Sequence, residues 1–190
     1  MDKKHIITIA GRPGGGKSTA SKALAKQLGY EHFSSGDLFR AIGKEHGIDV
    51  TQTNKAAEHD QDIDRQVDER LEEIGHKGDQ VVIDSRLAWH WIPQSFKVYL
   101  DLDLEVAAQR ILANIDPERQ KHEAISTDPV EYAEALQHRL DLEAARYQAK
   151  YSVDPYDHAN YDLVVDTERN NPRQVVTQIL EAYHAWLKHS

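Results

Sequence analysis

One motif near the start of the chain constrains its fold more than any other feature: residues 11–18 read GRPGGGKS. The run matches the pattern G-x-x-x-x-G-K-[ST]. It lies between a β-branched apolar run, residues 5–10, and a stretch from Lys17 to Leu28 in which Ala20, Leu24 and Leu28 are four apart. A strand, a glycine-rich turn and a helix in this order form a phosphate-binding loop. The context therefore predicts a nucleotide-binding α/β domain.

The residue types in this loop supply what phosphate binding needs. Glycines allow backbone conformations in which successive N–H groups point into one concavity. The N-terminus of the following helix adds partial positive charge. Lys17 can reach the outer phosphates of a nucleoside triphosphate, and the hydroxyl of Ser18 can ligate Mg²⁺. The alternative is a glycine-rich turn that binds nothing.

Short apolar runs alternate with amphipathic ones along the rest of the chain. Residues 5–10 predict the first strand, and four further runs predict strands at 30–34, 80–85, 96–102 and 161–167. Strands that alternate with helices are typical of a parallel sheet with right-handed crossovers. We therefore predict an α/β fold with a five-stranded parallel sheet and helices on both faces.

Two polar helical segments interrupt this alternation. Residues 36–78 carry one apolar stripe, formed by Ile63, Val67, Leu71 and Ile74. Residues 114–151 contain a helix start at Asp128 and Pro129, and the same signal recurs at Asn171 and Pro172 before the last helix. We predict one domain over residues 1–190, with a core at 1–35, 79–113 and 152–190 and two helical insertions over the edge where the strands end.

Composition limits the partners of this domain. The 190 residues include 23 basic and 32 acidic side chains, a formal net charge of −9, and no cysteine. This charge repels polymeric phosphate backbones, so any phosphate must be held locally and no nucleic-acid polymer is expected. No apolar run approaches the roughly 18–20 residues of a membrane span, and the first apolar run is too short for a signal peptide. We expect a cytoplasmic monomer without a membrane partner.

A second candidate anion site follows the predicted second strand, in the run FSSGDLFR. We predict that Asp37 opens the next helix and that Arg40, one turn on, can form paired hydrogen bonds with a phosphate. Asp84 ends the third strand, where a carboxylate can orient Mg²⁺ or its waters, and Arg86 follows in the crevice above the sheet. The alternative for Asp37 and Arg40 is a helix cap and a surface charge.

Taken together, these motifs resemble the nucleoside monophosphate kinases, and among them the short cytidylate kinases of archaea and some bacteria. The likeness covers nearly the whole chain and includes the runs GKEHGIDV, IDRQVDER, SRLAWHW and HRLDLEAARYQAKY. It implies a P-loop fold and transfer of the γ-phosphoryl group of ATP to CMP or dCMP with Mg²⁺, a step of pyrimidine nucleotide metabolism. The strand-end motif is DSR, without the Asp-Gly-Phe-Pro-Arg run typical of adenylate kinases.

The resemblance also implies roles for particular residues. Lys17 and the lid arginines Arg139 and Arg146 would be catalytic, and Ser18 and Asp84 would serve the metal. The insertion 36–78 would bind the monophosphate, and 114–151 would be the lid. The residues that would bind ATP are Gly11, Arg12, Pro13, Gly14, Gly15, Gly16, Lys17, Ser18 and Thr19. Those that would line the monophosphate side are Ser35, Gly36, Asp37, Arg40 and Arg86. For the lid arginines, a salt-bridge ladder through Glu143 is the alternative.

Base recognition is a separate hypothesis. The amino group of cytosine needs a hydrogen-bond acceptor, and Asp64 and Asp68 are four apart on one face of the predicted helix. One of them would read the base, although an acidic, solvated helix face explains the same spacing. Two other functions also fit the loop: a kinase for another small acceptor, such as a different mononucleotide, shikimate, gluconate or dephospho-coenzyme A, and a non-catalytic nucleotide-binding regulatory module.

Overall fold

A computed structural model describes residues 5–45, 61–116, 120 and 125–188 of the chain, without the side chains of residues 61–63. Its centre is a sheet of five strands in the order β2-β3-β1-β4-β5, all parallel. The strands are β1 (Ile6–Gly11), β2 (Glu31–Ser34), β3 (Val81–Asp84), β4 (Phe96–Asp101) and β5 (Leu163–Asp166). The predicted α/β fold and its five strands are confirmed.

Helices fill the connections between the strands and follow the last one. In the described residues they are α1 (Lys17–Leu28), α2 (Ser35–Glu45), α3 (Gln61–Lys77), α4 (Ala88–Trp91), α5 (Leu104–Leu112), α6 (Pro129–Tyr151) and α7 (Pro172–Lys188), with a short 3₁₀ turn at His158–Asn160. Helix α3 falls within the predicted insertion 36–78, α2 begins one residue before it, and α6 falls within 114–151. Residues 46–60, 117–119 and 121–124 of these insertions lie outside the described residues.

Side chains of the central strand alternate between the two faces of the sheet. Ile7 and Ile9 pack in one core cluster with residues of α1 and α7. Ile6 packs in a second cluster with Leu71 of α3 and with α4. Successive strand residues point to opposite faces, so each face is covered by its own helices. The predicted helices on both faces are confirmed.

The helix signals in the sequence correspond to observed contacts. Asp128 caps α6 by accepting hydrogen bonds from the backbone N–H groups of Val130 and Glu131. Asn171 caps α7 in the same way. Val67 and Ile74 pack beside Leu71 in the second cluster, while the side chain of Ile63 lies outside the described residues. In the part of the chain that the structure describes, no helix is long and apolar enough to span a bilayer.

The register of the sheet brings the ends of β2 and β3 level with each other, and β1 ends two residues further on. Asp84 of β3 pairs with Ile9 of β1 on one side and with Ser34 of β2 on the other. Residues that follow these strands therefore emerge at the same edge. This carboxyl edge is where open parallel sheets bind their ligands.

Candidate active site

The turn between β1 and α1 approaches the neighbouring strand too closely for any side chain. Gly11 has a φ of +145°, and a Cβ placed there would lie 2.3 Å from the carbonyl oxygen of Leu100 in β4. Gly16, with a φ of +81°, immediately precedes α1. The first and last glycines of the motif thus allow a backbone path that ends at the helix N-terminus, as a phosphate cradle requires.

Lys17 folds back over this turn. Its Nζ donates hydrogen bonds to the carbonyl oxygens of Gly11 at 2.8 Å and Arg12 at 3.1 Å. Burial, together with the positive charge of Arg86, lowers the pKa of Lys17 from 10.5 to about 8. The ammonium group is therefore poorly compensated in the free protein, and an anion beside it would be favoured.

Ser18 lies against the end of β3. Its hydroxyl donates to Oδ2 of Asp84 at 2.5 Å, and Asp84 is only 7% exposed. Two hard oxygen donors at this spacing suit Mg²⁺, which binds through one or two protein groups and takes phosphate oxygens and water for the rest. Within the described residues, no group of three or more His, Asp or Glu side chains is arranged to hold a metal ion.

Arg86, two residues after β3, contacts helix α6. Its Nε lies 2.7 Å from Oε1 of Glu143, a residue of α6 that is 13% exposed. The same oxygen accepts a hydrogen bond of 2.9 Å from the hydroxyl of Tyr156. The Glu143 carboxylate raises the pKa of Arg86 above its usual value, so this arginine stays charged at the mouth of the loop.

The two predicted lid arginines have different surroundings. Arg139 is exposed and close enough to Lys17 that its charge helps to lower the Lys17 pKa. Arg146 is half-buried, with Nη1 at 3.7 Å from Oδ2 of Asp64. Among the described residues, Glu143 forms its ion pair with Arg86, so the ladder that the sequence allowed between Arg139, Glu143 and Arg146 does not form.

The predicted base-reading carboxylates both face the end of α6. Asp64, 12% exposed, pairs with Arg146 and with Lys150 at 3.4 Å. Oδ2 of Asp68 accepts a hydrogen bond of 2.5 Å from the hydroxyl of Tyr151. Burial raises the pKa of Asp68, and the Tyr151 hydroxyl partly opposes this effect. Asp64 and Asp68 therefore do not form the solvated acidic helix face that was the alternative explanation of their spacing.

The segment after β2 differs from the prediction in one respect. Helix α2 begins at Ser35, and the hydroxyl of Ser34 accepts the backbone N–H of Asp37 at 3.2 Å. Ser34 is thus the capping side chain, and the prediction that Asp37 opens the helix is wrong, because the helix starts two residues earlier. Asp37 instead pairs with Arg40, and both are exposed. Ser35 donates to the carbonyl oxygen of Asp84 at 3.3 Å, which fixes this turn beside β3.

Arg12 points to the far side of the loop. Its Nε lies 3.7 Å from Oδ1 of Asp101 at the end of β4, and Nη1 donates to the carbonyl oxygen of Leu102 at 3.2 Å. Pro13, next in the motif, is buried, and Thr19, just after the motif, is exposed. The predicted ATP-binding residues thus run without a break from the last residue of β1 through the turn into the first residues of α1.

The contacts of Arg86 include two residues that the sequence did not indicate as part of the site, Glu143 and Tyr156. The sequence predicts Glu143 only as a possible salt-bridge partner of Arg139 and Arg146, and it gives no specific prediction for Tyr156. One signal was present: four of the eight tyrosines fall within residues 147–161. They pack beside Trp89 and Tyr99 over the carboxyl edge. A buried tyrosine hydroxyl needs a hydrogen-bond partner. Several tyrosines close in sequence to the charged residues of α6 therefore indicate a buried polar site.

Comparisons with known proteins agree with this geometry. A family model described as an AAA domain matches residues 7–137. A cytidylate kinase of Haloquadratum walsbyi is 40% identical over 180 residues, which is 93% of this chain and 88% of that protein. One of Haloarcula marismortui is 39% identical over 184 residues, covering 95% of this chain and 90% of that protein.

Solved structures support the fold alone. A shikimate kinase of Acinetobacter baumannii in complex with shikimate aligns with a TM-score of 0.62 at 16% identity, over 97% of this chain and 95% of the other. A gluconokinase of Sinorhizobium meliloti aligns with a TM-score of 0.57 at 17% identity, over 100% of this chain and 97% of the other. The resemblance drawn from the motifs is confirmed by the sequence relatives: the chain belongs to the cytidylate kinase family of P-loop kinases.

Proposed function

We propose that this protein transfers the γ-phosphoryl group of ATP to CMP or dCMP, giving ADP and the nucleoside diphosphate. The observation that carries the proposal is the convergence of Lys17, the Ser18–Asp84 pair and Arg86 at one edge of the sheet. Lys17 is a cation for the transferred phosphoryl group, the Ser18–Asp84 pair supplies two oxygen donors, and Arg86 is a second cation. The chain that holds them belongs to the cytidylate kinase family.

The ATP side is the turn formed by residues 11–19. Its backbone N–H groups and the start of α1 would bind the phosphates, and Lys17 would leave the carbonyl oxygens of Gly11 and Arg12 for the outer phosphates. A bound Mg²⁺ would neutralise phosphate charge during transfer. Ser18 and Asp84 are the residues that would hold it. Phosphoryl transfer needs little covalent chemistry from the protein, so positioning and charge supply most of the catalysis.

The acceptor side is formed by residues from the two insertions. Residues 36–78 would bind the monophosphate, with Ser35, Gly36, Asp37 and Arg40 beside β2 and Arg86 beside β3. Residues 114–151 would act as the lid and bring Arg139 and Arg146 to the developing charge. A closed lid excludes water, which would otherwise accept the phosphoryl group. We propose that the enzyme works as a cytoplasmic monomer on free mononucleotides in pyrimidine nucleotide metabolism.

The choice of cytosine would depend on Asp64 or Asp68. Two cations already compensate Asp64, whereas Asp68 is partnered by a neutral hydroxyl and has the raised pKa. The test is the relative kcat/KM for CMP, UMP and AMP in Asp64→Asn and Asp68→Asn. A residue that reads the base should lose preference for CMP by about tenfold when its acceptor oxygen is replaced by an amide donor. An unchanged preference among CMP, UMP and AMP would show that the residue does not read the base.

One assay tests the function as a whole. Purified protein with ATP and Mg²⁺ is given each nucleoside monophosphate in turn, then shikimate, gluconate and dephospho-coenzyme A, and ADP formation is followed. Rapid release of ADP with CMP or dCMP alone is the expected result. ADP release with another acceptor would show that this acceptor, and not CMP, is the substrate. Slow ADP release that no acceptor stimulates would identify a regulatory module. Lys17→Ala should lower kcat with CMP by at least about 100-fold.

A further inference from the structure

A carboxylate of the lid helix is held by two residues of the core. Oε1 of Glu143 in α6 lies 2.7 Å from Nε of Arg86 and accepts the Tyr156 hydroxyl at 2.9 Å. Arg86 follows β3, and Tyr156 belongs to the loop between α6 and β5. One oxygen atom thus joins three separate segments of the chain.

The loop that carries Tyr156 is held by hydrogen bonds among its own residues. The backbone N–H of Tyr156 donates to Oδ1 of Asp154 at 2.9 Å, and the side chain of Asn160 donates to the carbonyl oxygen of Asp154 at 2.9 Å. The hydroxyl of Tyr161 donates to the carbonyl oxygen of Pro155 at 2.6 Å. The ring of Tyr156 also packs against the cluster that contains Leu87, next to Arg86. The hydroxyl is therefore presented from a fixed place.

The way in which Glu143 holds Arg86 leaves part of the guanidinium available. The contact at Nε is an ion pair without hydrogen-bond geometry, and the two terminal nitrogens of a guanidinium can still donate to a second anion. The side chain of Arg86 is 31% exposed, against 13% for Glu143. Because Nε itself is buried, the exposed part of the Arg86 side chain lies away from the contact with Glu143.

We propose that Tyr156 is a positioning residue of the acceptor site, which orients the Glu143 carboxylate and, through it, the guanidinium of Arg86 toward the acceptor phosphate. The inference rests on the proposed function of this site. Burial and the neighbouring carboxylate raise the pKa of Tyr156, so the hydroxyl remains a donor across the working pH range.

The test removes one hydroxyl. Tyr156→Phe should raise the KM for CMP about tenfold and leave kcat within about twofold and the KM for ATP unchanged. The matched control is Tyr30→Phe, which removes a hydroxyl paired with that of Tyr183 at 3.2 Å, before β2 at the opposite edge of the sheet. Calorimetric titration of CMP into each ATP-free protein should give the same ranking. A CMP affinity of Tyr156→Phe equal to that of Tyr30→Phe would overturn the proposal.

A double-mutant cycle separates action through Glu143 from direct contact. If Tyr156 acts through Glu143, Tyr156→Phe should have no further effect on the KM for CMP in a Glu143→Ala background. The same tenfold loss in that background would show that the hydroxyl acts by itself and would overturn the proposal. Glu143→Gln serves as the background if Glu143→Ala does not fold, because it keeps an acceptor for the hydroxyl and removes the charge that restrains Arg86. The Tyr156 effect should then shrink to less than about threefold.

Different results would contradict the proposed function and the positioning role of Tyr156. If the unmodified protein shows no CMP-dependent ADP formation and does not bind CMP, the proposed function is wrong and the role of Tyr156 falls with it. If the unmodified protein phosphorylates CMP while Tyr156→Phe matches it in KM and affinity, only the positioning role is wrong. A parallel rise in the KM for ATP and CMP with a lower melting temperature would show a purely structural role and would also overturn it.

Discussion

Gly11 determines where the phosphate-binding turn can run. Its φ of +145° is open only to glycine, and a Cβ would meet the Leu100 carbonyl oxygen at 2.3 Å. Leu100 is itself fully buried in β4, so it has no room to move away. The turn is thus fixed by its contact with a neighbouring strand as much as by its own sequence.

We expect Gly11→Ala to lower the free energy of unfolding by at least about 3 kcal/mol, because it combines backbone strain with a steric clash. Gly29→Ala is the matched control: Gly29 also has a positive φ, +69°, but a Cβ there meets nothing within 4 Å. That change should cost only about 1 kcal/mol. Urea denaturation of both variants measures the difference, and equal losses would show that the close approach to Leu100 carries no energetic weight.

The depressed pKa of Lys17 predicts a pH dependence of stability. Its pKa is about 8 in the folded protein, against 10.5 for an unperturbed lysine, so between these values the unfolded chain binds a proton that the folded protein does not. The free energy of unfolding should therefore rise with pH in this window. The measurement is the difference between the unmodified protein and Lys17→Met, followed by urea denaturation from pH 7 upward. A flat difference between about pH 8 and pH 10 would contradict the burial of a charged Lys17.

The starts of α6 and α7 were predictable because their signals are local. Asp128 followed by Pro129, and Asn171 followed by Pro172, satisfy the first N–H groups of a helix from side chains two or three residues away. Strands β1 and β3 were predictable for a similar reason, since buried parallel strands are short, continuous apolar runs bounded by turn residues. Strand β2 is polar and only partly buried, so its prediction depended on the alternation of strands with helices.

For helix α6, Asp128→Ala should lower the free energy of unfolding by about 1 kcal/mol, because the N–H groups of Val130 and Glu131 lose their acceptor. Asp128→Ser keeps an oxygen acceptor and should restore most of the loss. Hydrogen exchange at the first turn of α6 gives the local readout. Protection there that is unchanged in Asp128→Ala would argue against a contribution from the cap.

The pairs between elements could not be predicted in the same way. Spacing within one helix placed Glu143 between Arg139 and Arg146, yet its ion pair is with Arg86, 57 positions earlier in the chain. Asp64 and Asp68 appeared as one face of a helix, and the structure places α6 against that face. Periodicity shows which side chains share a face, whereas the partner of that face depends on how the insertions return over the sheet.

The molecule as a whole carries a net charge of −9, but the site gathers cations. Arg86 and Arg139 both lie close enough to Lys17 that their charges lower its pKa, while acidic side chains predominate over the chain as a whole. Such a distribution suits a small anion that is fully surrounded, because a long polyanion would extend beyond the cations onto repelling surface.

This contrast predicts a size limit for anionic ligands. CMP and ATP should raise the melting temperature of the protein, since ligands that bind only the folded state stabilise it. A mixed-sequence oligonucleotide with the same total phosphate should neither raise the melting temperature nor inhibit ADP formation at physiological salt. Inhibition by the oligonucleotide that weakens as salt is added would show a basic surface large enough for a polyanion and would contradict the size limit.

The contact between Trp91 and Tyr151 has a consequence for observing this molecule in solution. Their ring centroids are 5.4 Å apart in an edge-to-face arrangement. Tyr151 is the last residue of α6, while Trp91 is anchored at the end of α4. Because tryptophan emission depends on the immediate surroundings of the indole, a displacement of α6 alters the fluorescence of one of only three tryptophans in the chain. The position of α6 can thus be followed by fluorescence in the unlabelled protein.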